Sequence, residues 1–355
     1  MLATPTHIDQ LDTPVPVVDL DRAEANIARY QAYCTQHGLA LRPHIKTHKL
    51  IEMAQRQLSA GAVGINCQKI SEAEAMLPCG AEDILITYNI FGAQKLERLA
   101  RLARQCRITL ALDSAAAIEA AASAARIAGC EIGVLIDFDA GGGRTGVQSA
   151  TEAVELAQQV CASSGLQLRG VCSYPILPAT AGWISDLRAA FSAAGLPWGI
   201  VSSGGTPAMW HAHETPGLTE MRVGTYIYQD RATVAAGAAN WNDVALQVWS
   251  TVVSRPTPDR AVLDAGSKTL SSDLAGKEPG YGYLPDYPAA VIVRLNEEHG
   301  IVDLSRCERK PALGERVRII PNHVCVVTNL HDRIVLARNG QIEAVVVVAA
   351  RGATT

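Results

Sequence analysis

The feature that most restricts the fold is a rhythm. From residue 15 to about 230, short apolar runs alternate with Ala-, Leu- and Glu-rich stretches of helical spacing. The runs are VPVVDL (15–20), LALRPHIK (39–46), AVGINCQ (62–68), DILITY (83–88), ITLALD (108–113), IGVLIDFD (132–139), LRGVCSY (168–174), GIVSSGG (199–205) and EMRVGTYI (220–227). Most are apolar on both faces, as strands of a buried parallel sheet must be. Eight or nine such units predict an α/β fold, a TIM-type (β/α)8 barrel over residues 15–240. An open doubly wound sheet is the competing arrangement, but no GxGxxG follows the first run. With 48% hydrophobic and 19% charged residues in 355, the chain can build this core and a second domain besides.

Past residue 240 the period changes. WNDVALQVWSTVVSRPTPDRAVLDAG alternates apolar and polar residues, and Gly, Pro and Asp turns become frequent. VRIIPNHVCVVTNL and DRIVLARNGQIEAVVVV read as antiparallel strands, the second with an Asn339-Gly340 hairpin turn. Residues 241–355, joined by 1–14, are expected to form an antiparallel β domain.

Charge narrows the partners. A formal net charge of −4 and a pI near 6.1 give no general attraction to nucleic acid or a membrane surface. Residues 1–10 carry no apolar signal-like region, and no apolar stretch reaches the roughly 18 residues of a membrane span. Nine cysteines without a CxxC pair fit a reducing cytoplasm, most of them as small core residues. Against this mildly acidic background stands RPHIKTHK (42–49), which points to a small anionic ligand.

In a barrel of this type the active site lies at the C-terminal ends of the strands, and Lys46 falls at one. Crowding by His44, His48, Lys49 and Arg42 is expected to disfavour its protonated form and free the amine for a Schiff base; a solvated basic loop is the plain alternative. Ser203, Gly204, Gly205 and Thr206 offer small residues whose backbone N–H groups suit a phosphate, with Gly224, Thr225 and Tyr226 completing the cup. SSGGT is equally an ordinary helix entry. Together with a strand-end lysine, however, it predicts pyridoxal 5'-phosphate, held by aldehyde and phosphate. Arg144 in the DAGGGRTGV loop is placed to meet the cofactor's phenolic oxygen, and Tyr174 its ring or a transferred proton; a loop charge and a rim tyrosine are the plain readings. His44 joins the cofactor-binding set. Read as one strand, His323 and Cys325 present a nitrogen and a thiolate on the same face, a pair suited to Zn2+ and less to Mn2+. His331 and Asp332 are candidates to supply a further ligand or to orient His323, with a solvated turn as the plain reading.

RPHIKTHK, the arginine loop, SSGGTP and the late PNHVC together resemble the D-threonine aldolase and D-serine dehydratase family, fold-type III pyridoxal phosphate enzymes with an alanine-racemase-like barrel. The resemblance runs from residue 12 to 332. It implies that Lys46 is the Schiff-base lysine, Arg144 and Tyr174 cofactor-site residues, Ser203 to Thr206 the phosphate loop, and His323 and Cys325 ligands of a divalent metal, Zn or Mn. It further implies a cytoplasmic homodimeric lyase acting on a small D-3-hydroxy amino acid. Two departures bear on the reaction. No histidine follows Tyr174, where aldolases of the group have one. Cys325 stands where aldolases tend to have aspartate, as in the dehydratases. Retro-aldol cleavage to glycine and an aldehyde is the leading expectation. Dehydration of D-serine or D-3-hydroxyaspartate to a 2-oxo acid and ammonia is the alternative. A racemase or a non-catalytic cofactor carrier has no use for the His323/Cys325 pair.

Overall fold

The computed structural model describes residues 5–355. They form two compact units, one of residues 29–46, 51–224 and 353–355, the other of those up to 28, 47–50 and 225–352. The strands in chain order are β1 (Val15–Asp19), β2 (Ala40–Leu41), β3 (Ile65–Cys67), β4 (Asp83–Ile86), β5 (Arg107–Leu112), β6 (Ile132–Asp137), β7 (Leu166–Cys172), β8 (Ile200–Gly204) and β9 (Glu220–Arg222). There follow β10 (Leu246–Thr257), β11 (Arg260–Leu263), β12 (Val291–Leu295), β13 (Gly300–Asp303), β14 (Arg316–Ile319), β15 (Arg333–Arg338) and β16 (Gln341–Val347).

In the first unit, β2 to β9 make one parallel sheet in the order β2-β9-β8-β7-β6-β5-β4-β3. An isolated parallel bridge between His44 and Asn66 joins its two ends, so the sheet closes into the expected barrel. Helices between the strands fill the stretches of helical spacing. Ser114 and Ser149 cap the helices Ala115–Ala128 and Ala150–Ala162, and Gly129, at φ 70°, ends the first of these. Inside the barrel Leu85, Ala111, Leu135 and Cys172 pack together, with Ile200 against them. Below them lies a charged layer. The Arg42 side chain enters the interior, its Nε donating to Glu220 at 2.9 Å and its Nη1 to Asp83 at 2.8 Å. Arg169 adds a second donor to Asp83 at 3.1 Å. Asp83 and Glu220 are the first residues of β4 and β9, so this layer belongs to the N-terminal face of the barrel, where residues serve stability.

The second unit holds a sheet in the order β12-β13-β11-β10-β1-β15-β16, with β14 also on β10. It is antiparallel except where β1 runs parallel to β15. VPVVDL, expected to open the barrel series, is therefore a central strand here. Val17 packs with Val335 and Ala337 and against Ile8 and Leu11, while Val18 is buried on the opposite face. A run apolar on both faces marks any doubly covered strand, whichever sheet it joins, and the period alone does not choose between them. The hairpin β15–β16 forms as read, with Asn339 and Gly340 both at positive φ, as a type I′ turn requires. Residues 6–8 hydrogen-bond to 340–342.

PNHVCVVTNL is not a strand. β14 stops at Ile319, and Val324–Leu330 is a helix with His323 as its extended N-cap, φ −143° and ψ 115°. Its β-branched residues favour a strand locally. The helix wins because the buried Asp230 carboxylate accepts the otherwise unpaired Val324 N–H at 3.1 Å, a partner 94 residues away in sequence.

Candidate active site

Lys46 sits in a single 3-10 turn, Ile45–Thr47, separated by three residues from the end of β2. His44 shapes that turn: its Nδ1 accepts the Lys46 N–H at 3.3 Å, and its Nε2 pairs with Gln68 Oε1 at 3.2 Å. The crowd of cations expected around Lys46 is dispersed. Arg42 points into the barrel, where Asp83 and Glu220 neutralise it. Lys49 donates to Asn329 at 2.8 Å, and His48 is buried, its Nδ1 taking the Leu50 N–H. The basic density of RPHIKTHK is thus mostly structural, and a neighbouring positive crowd is not what sets Lys46 apart.

What does gather near Lys46 is aromatic. Its Nζ lies 5.8 Å from the centre of the Tyr174 ring, and the Arg144 guanidinium lies 4.6 Å from the same ring. Lys46, Tyr174 and Arg144, from three strand ends, therefore lie together. The glycines of DAGGGRTGV let the loop before Arg144 wrap one carboxylate: Asp139 accepts the N–H groups of Gly141, Gly142 and Gly143 at 2.6–3.2 Å. Beside Arg144 opens a cavity of about 440 Å3, lined among others by Gln68, Tyr88, Asn89 and Asp137. That volume suits a small cofactor. Burial pushes the Asp137 carboxyl above its ordinary value, partly offset by the Thr145 hydroxyl donating to it at 2.8 Å.

The loop after β8 fits an anion by its backbone more than by its hydroxyls. Ser203 is buried, and its hydroxyl is engaged with Ser173 at 3.0 Å. At Gly204 a Cβ would stand 2.0 Å from the Arg222 carbonyl oxygen, so no other residue fits. Gly205, at φ +117°, keeps only Pro175 and Tyr174 within 4 Å of its open side. Thr206 starts the 3-10 helix Thr206–Glu214, whose first N–H groups have no partner inside the helix. Arg222, which the sequence reading passed over, supports the loop from below: its Nε donates to Ser202 at 2.9 Å and its Nη2 to the Ser173 carbonyl at 2.6 Å. Gly224 follows β9 in this unit. Thr225 and Tyr226 belong to the second unit, where Thr225 opens a 3-10 turn and Tyr226 is fully buried.

In the second unit His323 and Cys325 come together although no strand carries them. His323 caps the helix, Cys325 lies in its first turn, and their side chains interact directly. Burial opposes a charged His323 ring, but the hydrogen bonds the ring donates to the Asp230 carboxylate and the Cys325 sulfur outweigh it and push the ring up to about 11. His323 Nδ1 is 3.0 Å from Asp230 Oδ2, which leaves Nε2 as its remaining donor atom. Cys325 Sγ lies 3.1 Å from Thr47 Oγ1. His331 and Asp332 do not orient His323: His331 faces the Thr269 carbonyl at 3.2 Å, and Asp332 pairs with Arg351 at 2.7 Å. Among the described residues no third His, Cys, Asp or Glu joins a metal-binding group. A nitrogen and a sulfur with further positions open is a donor set that fits a catalytic Zn2+. Asp230 escaped the sequence reading. Its DxxT helix-start pattern is visible, but its partner His323 is 93 residues away.

With this geometry in place, comparison with known proteins is informative. Residues 18–232 match the family described as alanine racemase, N-terminal domain, and residues 245–337 the putative serine dehydratase domain. The chain is 33% identical to a D-threonine aldolase from Arthrobacter sp, over 97% of this chain and 93% of the relative. A solved D-threonine aldolase from Filomicrobium marinum superposes with a TM-score of 0.92 at 31% identity, covering 99% of this chain and all of that one. A D-threo-3-hydroxyaspartate dehydratase from Delftia sp. HT23 superposes at 0.85 with 32% identity, covering 96% and 99%. A dehydratase of that name has also been solved with a cysteine replaced by alanine, in a metal-free form. The chain thus belongs to the D-threonine aldolase and D-serine dehydratase family, pyridoxal phosphate-dependent lyases of alanine-racemase-like fold.

Proposed function

We propose that this protein is a pyridoxal phosphate- and divalent-metal-dependent lyase that cleaves D-3-hydroxy amino acids to glycine and an aldehyde. The observation that carries this reading is the meeting of Lys46, Tyr174 and Arg144 at three strand ends of one barrel, beside a cavity and a glycine loop. When bound, the cofactor supplies an electron sink for the carbon next to the amino group, and the metal ion a Lewis acid for the β-hydroxyl.

The chain's own residues then have defined tasks. Lys46 anchors the cofactor covalently, and its amine, once displaced by substrate, returns a proton to Cα. Arg144 binds beside the ring, and the Gly204–Gly205–Thr206 backbone, with Arg222 beneath it, receives the phosphate. Tyr174 forms one wall. His323 Nε2 and Cys325 Sγ would hold the metal, a nitrogen and sulfur pair suited to a catalytic ion. The metal assignment is supported by the N/S donor chemistry and by the metal-free state of the cysteine variant of the related dehydratase.

One observation favours a second outcome. The pair is histidine and cysteine, and Pro175-Ile176-Leu177-Pro178 offers no histidine after Tyr174 to take the hydroxyl proton. Loss of the β-hydroxyl would then yield a 2-oxo acid and ammonia. Incubation with D-threonine, D-serine and D-3-hydroxyaspartate, with products identified by mass, separates the two: glycine plus aldehyde supports the aldolase, and ammonia plus 2-oxo acid replaces it with the dehydratase. Cleavage that survives exhaustive chelation would remove the metal from the scheme.

A further inference from the structure

Building on the metal reading above, we propose that Asp230 is a positioning residue for a metal ion at His323 and Cys325. It fixes the His323 ring through Nδ1 so that Nε2 is the coordinating atom. Asp230 has no exposed surface. Its two oxygens have different tasks. Oδ1 accepts the Thr233 N–H at 2.8 Å, the ordinary duty of an N-cap for the helix Arg231–Ala235. Oδ2 reaches across to the other helix start, accepting the Val324 N–H at 3.1 Å and facing His323 Nδ1 at 3.0 Å. A carboxylate surrounded by backbone donors is an acceptor only, so the hydrogen on His323 must sit on Nδ1. A metal that takes the place of the other ring hydrogen then meets the lone pair at Nε2. A carboxylate behind a ligating histidine also makes the ring a better donor.

The surrounding backbone shows that this is a jig and not a lone contact. The N–H groups of Arg231 and Ala232, left over at one helix start, donate to the carbonyls of Pro321 and Asn322, immediately before His323. Asn322 is itself gripped: its Nδ2 donates to the carbonyls of Asp273 and Gly280, both at 2.9 Å, and its Oδ1 faces Arg231 Nη1 at 3.3 Å. Two short helices therefore begin against each other, with the ligand pair on one and the orienting carboxylate on the other. Capping alone needs one oxygen, which asparagine would supply as well. Orienting His323 needs the second oxygen to be an acceptor. In an Asp230→Asn variant an amide NH2 must face either the Thr233 N–H or the Val324 and His323 side, and the latter arrangement selects the wrong tautomer.

The test titrates metal-stripped protein with Zn2+, and with Co2+ for its thiolate charge-transfer absorbance, in wild type, D230N, T233V and H323A. D230N is expected to bind each ion about 10–100-fold more weakly than wild type, with unchanged cofactor absorbance. T233V removes the Thr233 hydroxyl, which accepts the Asp230 N–H at 2.8 Å, and keeps the Thr233 N–H that Asp230 Oδ1 accepts. It loosens the helix start without touching Oδ2, and is expected to melt earlier yet keep wild-type metal affinity. Wild-type affinity in D230N overturns the proposal, and so does an equal loss in T233V, which would make Asp230 a helix cap only. If H323A keeps wild-type affinity, the metal reading itself has failed instead. Should D230N not fold, 15N-histidine spectra of the Zn2+-loaded wild type decide: a protected His323 Nδ1–H supports the proposal, and an Nε2–H signal overturns it.

Discussion

Two charged clusters in this molecule are built from similar parts and do opposite things. In the barrel interior, Arg42, Asp83, Glu220 and Arg169 satisfy one another, and each side chain is turned inward. In the second unit, Asp230, His323 and Cys325 are also tied together, but they set a ring nitrogen and a sulfur side by side, and the His323 side chain keeps 36% of its surface exposed. A cluster that closes on itself is a staple. A cluster that holds a nitrogen and a sulfur together at a partly exposed position has the makings of a site.

Substitutions should separate these roles. The largest expected effect is at Lys46: Lys46→Ala should reduce turnover to background and abolish the pyridoxyl label left by borohydride, while the unfolding midpoint barely moves. Cys325→Ala should come next, with metal content by mass spectrometry falling below one tenth of wild type and stability changing by less than about 1 kcal/mol. Arg42→Met reverses that pattern. It takes the cation from the buried Glu220 and one of the donors from Asp83, which keeps Arg169, and should cost about 3 kcal/mol in denaturant melts, with metal and cofactor per folded molecule unchanged. A loss of metal in Arg42→Met without loss of stability would erase the distinction between the two clusters.

The smallest expected effect is a pair of opposite pH slopes. Hydrogen bonds from Arg318 hold the Asp286 carboxyl in the β unit below the ordinary range. Its contribution is present above the ordinary aspartate value and disappears as pH falls through the depressed one. Asp137 in the barrel is shifted upward by burial. There the folded state binds a proton more readily than the unfolded chain, so stability declines as pH rises from the ordinary value through the raised one. Urea midpoints from about pH 3 to about pH 6 should therefore lose acid sensitivity in Asp286→Asn and gain stability at the upper end in Asp137→Asn.

Much of the barrel and its mouth was legible because local signals and the fold agree. Eight of the nine apolar runs are barrel strands, and Lys46, Arg144, Tyr174 and the Ser203–Thr206 loop follow four of their ends. VPVVDL misled because its pattern records coverage on two faces and not which sheet provides it. PNHVC misled differently: His323 and Cys325 read as neighbours on a strand, when a helix N-cap brings them together.

The sequence by itself determined the alternation of elements, the strand-end lysine, the glycines that only a close backbone approach requires, and the N/S donor pair. These are properties of residues and their near neighbours in the chain. Only the tertiary structure decided that β1 leaves the barrel, that Arg42 is a staple, and that Asp230 stands behind His323. Each of those depends on a partner tens to hundreds of residues away, and buried charges and unpaired N–H groups settle where that partner is found.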